Sequence, residues 1–338
     1  MNIFCDDGST NVKLAWYEGK VLYTSLSANS FRSGWKVEGL GNRQTFNYSL
    51  DGKKYTYDEV SNLAINTTHI EYQYTDVNVL AVHHALLNSG LEPQPVSLTV
   101  TLPISEFYTP ECQKNELNIQ RKIDNLMRPV TRNKGKTFTI EHIEVMPESL
   151  PAVFAQLVKD KVGPFEKSLV IDVGGTTLDV GVIVGQFEDV SAIHGNANIG
   201  VSMVTQVALS ALKMASSDTS PMVADELIKE RDNAEFVSQV VNDESKIPLV
   251  IDTIESAIAK LGERVVDELA EFRHVNRVYI VGGGASLIAP AVKAAWHHLG
   301  QKVVMMDNPQ MALVQAIAAC DCSPPCRARL PTSQAATV

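Results

Sequence analysis

Three short stretches set acidic and hydroxyl side chains beside glycine at the ends of apolar runs. Asp6-Asp7-Gly8-Ser9-Thr10 follows Ile3-Phe4-Cys5, and Asp172-Val173-Gly174-Gly175-Thr176-Thr177 follows Ser168-Leu169-Val170-Ile171. Gly282-Gly283-Gly284 follows Val278-Tyr279-Ile280-Val281 and opens a helical pattern. Glycines let backbone N–H groups approach phosphate oxygens, and Ser or Thr hydroxyls add donors. A carboxylate in the same place repels phosphate unless a divalent cation lies between, so Asp6 and Asp172 imply Mg²⁺ held through water. Each stretch alone has a plainer reading: an Asp-Gly-Ser turn is a common hairpin turn, and a triple glycine commonly marks a helix entry or a tight packing point. Neither the G-x-x-x-x-G-K-[ST] phosphate loop nor the G-x-G-x-x-G dinucleotide pattern occurs. It is the order and spacing of the three stretches that point to a nucleotide site.

The elements that must position these stretches follow from periodicity. Residues 1–27 read as strand, turn, strand, with a break at Glu18-Gly19-Lys20. Residues 28–75, rich in Asn, Gly, Tyr and Thr with an Asp51-Gly52 turn, read as a small β-rich insertion. From Thr75-Asp76 a helical pattern runs to Gly90 and carries His83 and His84; adjacent helical residues diverge by about 100° and cannot chelate one ion together, so both are expected to be structural. Buried-type strands are expected at 96–102 and 140–145, with a charged helix at 115–127 between them. The second hairpin, at 168–180, repeats the first, which predicts two related α/β domains facing each other. Ile251, Ile254, Ile258, Leu261, Val265 and Leu269 keep helical spacing and predict a long core helix, and a last helix is expected at 311–319.

The chain has 338 residues, enough for two domains, with 29 Lys plus Arg against 39 Asp plus Glu and a net charge of −10. That balance disfavours direct DNA binding, because broad attraction to a phosphate backbone needs the opposite sign. No apolar run of membrane-spanning length and no secretory leader pattern is present, so the cytoplasm is the expected compartment and no membrane partner is expected. Of five cysteines, Cys5 and Cys112 stand alone, which fits reduced thiols. Cys320, Cys322 and Cys326 offer three thiolates without a fourth ligand, in a polar, proline-rich stretch expected to be a disordered tail from 320 to 338.

With these motifs in place the sequence resembles the actin-like fold ATPases. The first phosphate hairpin extends through Asn11 and Val12 to Lys13, the second is residues 172–177, and the adenosine motif is Gly282-Gly283-Gly284-Ala285-Ser286-Leu287-Ile288. Within that superfamily it looks most like the ParM (StbA) plasmid-segregation family, through residues 74–87, Val145-Met146-Pro147-Glu148-Ser149 and Asn242-Asp243-Glu244-Ser245-Lys246-Ile247. The resemblance implies an α/β, ribonuclease H-like fold. Its first domain would span 1–160 and its second 165–319, the latter with a helical insertion near 205–270. It further implies a Mg-ATP-binding, ATP-hydrolysing protein that self-assembles into filaments, whose ends a ParR-like adaptor on centromeric plasmid DNA would cap; ATP and GTP are not distinguished. By position, Asp6 and Asp172 would orient Mg²⁺ and its waters, and Lys13 would reach the phosphates. Asp7, Gly8, Ser9, Thr10 and Asn11 would line one side, Gly174, Gly175, Thr176 and Thr177 the other, and Gly282, Gly283 and Gly284 the nucleoside end. Glu148 with Asp172 would be catalytic, Glu148 by positioning the attacking water. On residues alone, Glu148 could equally favour a following helix N-terminus, and Asp7 could equally just satisfy its turn. A small-molecule kinase and a cell-shape filament share the same core and are the rival functions.

Overall fold

The structure is a computed structural model that describes residues 1–37 and 44–321. In the first half, strands β1 (Asn2–Asp7), β2 (Asn11–Glu18) and β3 (Val21–Ala28) form a meander. Short strands β4 (Phe31–Ser33), β5 (Asn47–Leu50) and β6 (Lys53–Tyr57) follow, then helix α1 (Asp76–Asn88), strand β7 (Pro95–Leu102), the single-turn α2 (Ile104–Phe107) and α3 (Glu116–Leu126). Strands β8 (Val130–Arg132) and β9 (Thr139–Pro147) and helix α4 (Phe154–Lys159) complete it. The main sheet runs β3-β2-β1-β7-β9, with β1, β7 and β9 parallel.

The second half repeats the plan. Strands β10 (Lys167–Val173), β11 (Leu178–Val184) and β12 (Asp189–Asn196) form the meander, and helices α5 (Ser202–Met214), α6 (Pro221–Lys229), α7 (Ala234–Val240) and α8 (Ile247–Glu268) form the insertion. Strand β13 (Arg277–Val281), helix α9 (Ala285–Ala295), strand β14 (Val303–Met305) and helix α10 (Ala312–Asp321) end the described chain. Its sheet runs β12-β11-β10-β13-β14, the same meander followed by two parallel neighbours.

Local chemistry explains these elements. Strands β1 and β10 are buried at nearly every position, as expected of central strands covered on both faces, where alternation disappears. Helix α8 carries Pro248 in its first turn, where the missing N–H costs nothing, and buries Val250, Ile254, Ile258, Leu261 and Val265 at three- and four-residue spacing. Thr75, Asn115, Ser220 and Asn233 cap α1, α3, α6 and α7 through side-chain oxygens, satisfying amides that the first turn cannot.

Two apolar cores lie one in each half. A third joins them: Phe4, Ala15, Ile104 and Leu150 from the first half pack with Val170, Ile183, Tyr279 and Val281 from the second. Residues of α10, Leu313, Val314, Ile317 and Ala318, close this third core. Helix α10 therefore belongs by sequence to the second half but packs beside β1 and β2 of the first.

Two expectations change. The small sheet has the order β4-β6-β5-β8, so its fourth strand comes from beyond α3 and not from residues 28–75. The last helix runs two residues past Ala319, so Cys320 is a buried helical residue and not part of a tail. Cys5 and Cys112 are free thiols, as expected, and Cys320 is disulfide-bonded. Cys322, Cys326 and the rest of 322–338 lie outside the described residues.

Candidate functional site

The β1–β2 and β10–β11 turns meet across a cleft between the halves. Ser9 Oγ and Thr176 Oγ1 are 2.6 Å apart and hydrogen-bonded. A Cβ on Gly175 would collide with the Thr10 side chain, so the two turns can approach this closely only with glycine there. The cleft wall contains Asp6, Gly8, Ser9, Thr10, Lys13, Glu148, Asp172, Gly174, Gly175, Thr176, Thr177, Gly282 and Gly283. The structure thus brings together most of the residues marked in the sequence, although they are far apart in the chain.

Backbone polarity in the first turn suits an anion. The Asn29 side-chain amide donates to the carbonyls of Gly8 and Ser9, both at 2.9 Å. In a trans peptide the N–H points opposite to the carbonyl, so the amides of Ser9 and Thr10 are turned away from Asn29. The second turn is closed by Gly174 N–H donating to Thr177 O, and the carbonyls of Gly174 and Gly175 receive the amides of Val201 and Ser202 ahead of and in α5.

Charge is out of balance in this cleft. Lys13 pairs with Asp6 at 3.0 Å; burial works against the lysine charge, but Asp6, Glu148 and Asp172 hold its pKa above the ordinary value. Burial raises the Asp6 pKa despite that pairing. Burial, then repulsion from Asp179 and Asp6, pushes Asp172 up to about 7. Glu148 is raised well above the carboxylate range by burial, then by Asp179, Asp6 and Asp172, and its Oε1 is buried without a hydrogen-bond partner. Several carboxyls and one lysine in a shared low-dielectric space leave a deficit of positive charge. A divalent cation fits that deficit. Among the described residues no cluster of three or more His, Cys, Asp or Glu forms a ready metal cage.

Glu148 immediately follows β9, and its N–H donates to Leu102 O at 2.8 Å. Its buried carboxyl faces Asp179, Asp6 and Asp172, and a 3-10 turn begins two residues later at Leu150. Gly282, at φ +87°, stands so close to Asp172 that a Cβ would strike the carboxylate; the first of the three glycines therefore fixes where Asp172 can sit.

Two marked residues behave differently from expectation. Asp7 does not reach the cleft: strand neighbours point to opposite faces, and Asp7 turns inward to an ion pair with the fully buried Lys122. There it accepts from Asn78 Nδ2 at 2.7 Å. Gly284 packs against Val173 and Val201 and donates its N–H to Val173 O, so its part is helix–strand packing. Asn11 lies beside the main cleft, in the adjoining cavities.

Sequence reading missed three features. Asp179, pushed up to about 6 chiefly by burial, accepts from Ile104 N–H at 2.7 Å and so links the halves; its place seven residues after Asp172 on the antiparallel partner strand was a usable signal. Lys122 looked like one more charge on a polar helix. A cavity continuous with the turns is lined by Asp225, Ile228, Lys229 and Arg231 from the helical insertion, where no motif marks them, together with Gln310 and with Gly283, Ser286 and Leu287 of the marked glycine motif. His83 and His84 are buried and structural as expected. His84 bonds Tyr48 and Asn88 and stacks on Tyr57, and burial lowers it to about 3.

Family models for plasmid segregation protein ParM cover the chain almost end to end, the N-terminal model matching residues 1–159 and the C-terminal model residues 162–320. The chain belongs to the ParM plasmid-segregation family. Solved structures agree on the actin-like fold. A pCBH ParM non-polymerisable quadruple mutant superposes with a TM-score of 0.70 at 14% identity, covering 94% of this chain and 98% of that one. A 15-stranded ParM filament from Clostridium botulinum gives 0.65 at 14%, covering 94% and 97%. The archaeal actin homologue Ta0583 in complex with ADP gives 0.66 at 17%, covering 94% and 98%. No curated protein matches by sequence. Among the described residues of this ParM-family chain, no helix is long and apolar enough to cross a membrane.

Proposed function

We propose that this ParM-family protein binds Mg-ATP in the cleft between its halves, assembles into filaments in that state, and hydrolyses the nucleotide to ADP and phosphate. One observation carries the reading: buried carboxyls in excess of cations face the donor-rich turns at residues 8–10 and 174–177. Such a site disfavours a bare phosphate and suits a phosphate bound with its metal. Support also comes from the family, and from the ADP complex of a protein with the same fold.

In this reading Asp6 and Asp172 hold the hydrated Mg²⁺, which when bound supplies charge neutralisation between phosphate and carboxylates. Lys13 and the two turns grip the phosphates. The nucleoside extends toward Lys229, Arg231, Ser286 and Gln310. Glu148 orients the attacking water, and its unpartnered, buried Oε1 is available to accept from it. Phosphoryl transfer needs little more from a protein than positioning and charge compensation. Plasmid partition would then use filament growth against a ParR-like adaptor on centromeric DNA.

Light scattering and phosphate release on adding Mg-ATP test this. The parent should scatter and then release phosphate. Glu148→Ala should scatter as strongly while hydrolysing about a hundredfold more slowly or worse, so its filaments persist. Normal phosphate release from the variant would remove Glu148 from the mechanism, and no scattering from either protein would remove the filament.

A further inference from the structure

Immediately after Glu148 the backbone takes a strained form. Ser149 has φ +69° and ψ −69°, and Leu150 N–H donates back to Glu148 O at 2.9 Å. That is a γ-turn of the rare form with positive φ at its centre. A non-glycine residue here is strained and persists only where its surroundings over-determine it. Ser149 is completely buried, and its Oγ faces Asp172 without a full hydrogen bond. The side chain therefore does not explain the conformation.

What holds the turn lies one residue on. Leu150, fully buried, enters the third core and presses its Cδ2 against Gly181 of β11, so that a Cβ at 181 would overlap it. Gly181 pairs with Val170 in β10, two residues before Asp172. On the other side the turn is fixed by Glu148 N–H to Leu102 O and continues through Pro151 into a buried 3-10 turn.

We infer that Gly181 is a pocket for Leu150, and that this contact holds the strained turn at Ser149 and so aims Glu148 into the cleft. Gly181 and Ser149 are positioning residues: one belongs to the second half, Glu148 to the first, so the aim of the carboxyl depends on how the halves meet. The inference rests on Glu148 acting on water.

Two substitutions at Ser149 separate backbone from hydroxyl. Ser149→Gly accepts positive φ but lacks the hydroxyl; Ser149→Thr keeps the hydroxyl but, being β-branched, resists positive φ. With the full-length protein and saturating Mg-ATP, Ser149→Thr and Gly181→Ala should each lower kcat about tenfold or more, the order expected for a misplaced catalytic group. The Kd for Mg-ATP should stay within about twofold, because the phosphate turns are untouched. Ser149→Gly should be at least about fivefold faster than Ser149→Thr, and Leu150→Val should restore part of the turnover of Gly181→Ala by making room for the new methyl. The reverse order at Ser149 would assign the effect to the hydroxyl beside Asp172 and overturn the inference. So would kcat and affinity falling together, or a Gly181→Ala protein with parental kcat. Should Gly181→Ala not fold, the Ser149 pair decides alone. Glu148→Gln run alongside distinguishes the two readings: normal turnover in it sinks the catalytic role, whereas loss in it with normal Gly181→Ala sinks only the positioning.

Discussion

The β1–β2 and β10–β11 turns share a backbone plan and differ in how their acids are compensated. In the first, Asp6 has Lys13 at 3.0 Å and Asp7 has Lys122 in the core. In the second, Asp172 has Ser149 and the distant field of Lys13, with Asp179 and Asp6 repelling it. One turn is neutralised by the protein and serves as an anvil. The other is left short of positive charge. A repeated fold has thus divided one task between its copies.

Breaking the neutralised side should have the largest effect. Lys122→Met leaves Asp7 charged and unpaired at zero exposure, which should cost about 3–5 kcal/mol. Urea unfolding measures this, and a midpoint equal to the parent's would show that the first turn is not held by its buried pair.

The uncompensated side should respond in activity and not in stability. Asp172→Ala should lower Mg-dependent phosphate release by about a hundredfold or more without lowering the melting temperature, because a repelled carboxyl has been removed. Asp6→Ala strands Lys13 and should lose both. The pH response follows the same asymmetry. With Asp172 at about 7 in the fold against its ordinary 3.8, the native state holds a proton that the unfolded chain has released between those values. Nucleotide-free protein should therefore lose stability as pH rises from about 4 to 7. Asp172→Asn should flatten that slope in thermal melts; an unchanged slope would mean that Asp172 is not the poorly compensated acid.

The contact between the turns should matter least. Ser9→Ala removes the bond to Thr176 and should cost about 1 kcal/mol, seen as about fivefold weaker Mg-ATP binding by titration. A larger loss would mean that the turns are held together mainly by that bond and not by the cores behind them.

The turns, the glycines and most strands were legible because each is local: an apolar run, an acid, a glycine. Glu148 was legible only through resemblance, since Met-Pro-Glu-Ser carries no spacing that marks a catalytic acid. Lys122 and the helical-insertion side of the adjoining cavity were hidden for another reason. Their roles depend on partners dozens of residues away, and a charged residue on a polar helix gives no sign that its neighbour in space is an aspartate. The strand at 130–132 was too short to show periodicity, and the reach of α10 onto the first half is a matter of tertiary packing that no pattern within 312–321 reveals.

The placement of α10 has a consequence for biogenesis. Domains usually fold as they leave the ribosome, at roughly 5–20 residues per second. Here the helix that covers Phe4 and Ala15 is translated after every other described element, so for tens of seconds the nascent first half lacks part of its cover. A truncated nascent chain would have its β1–β2 turn but not the packing behind it. Assembly competence is thereby tied to the synthesis of α10, and fragments released before it would be directed to chaperones and proteases before they could join a polymer.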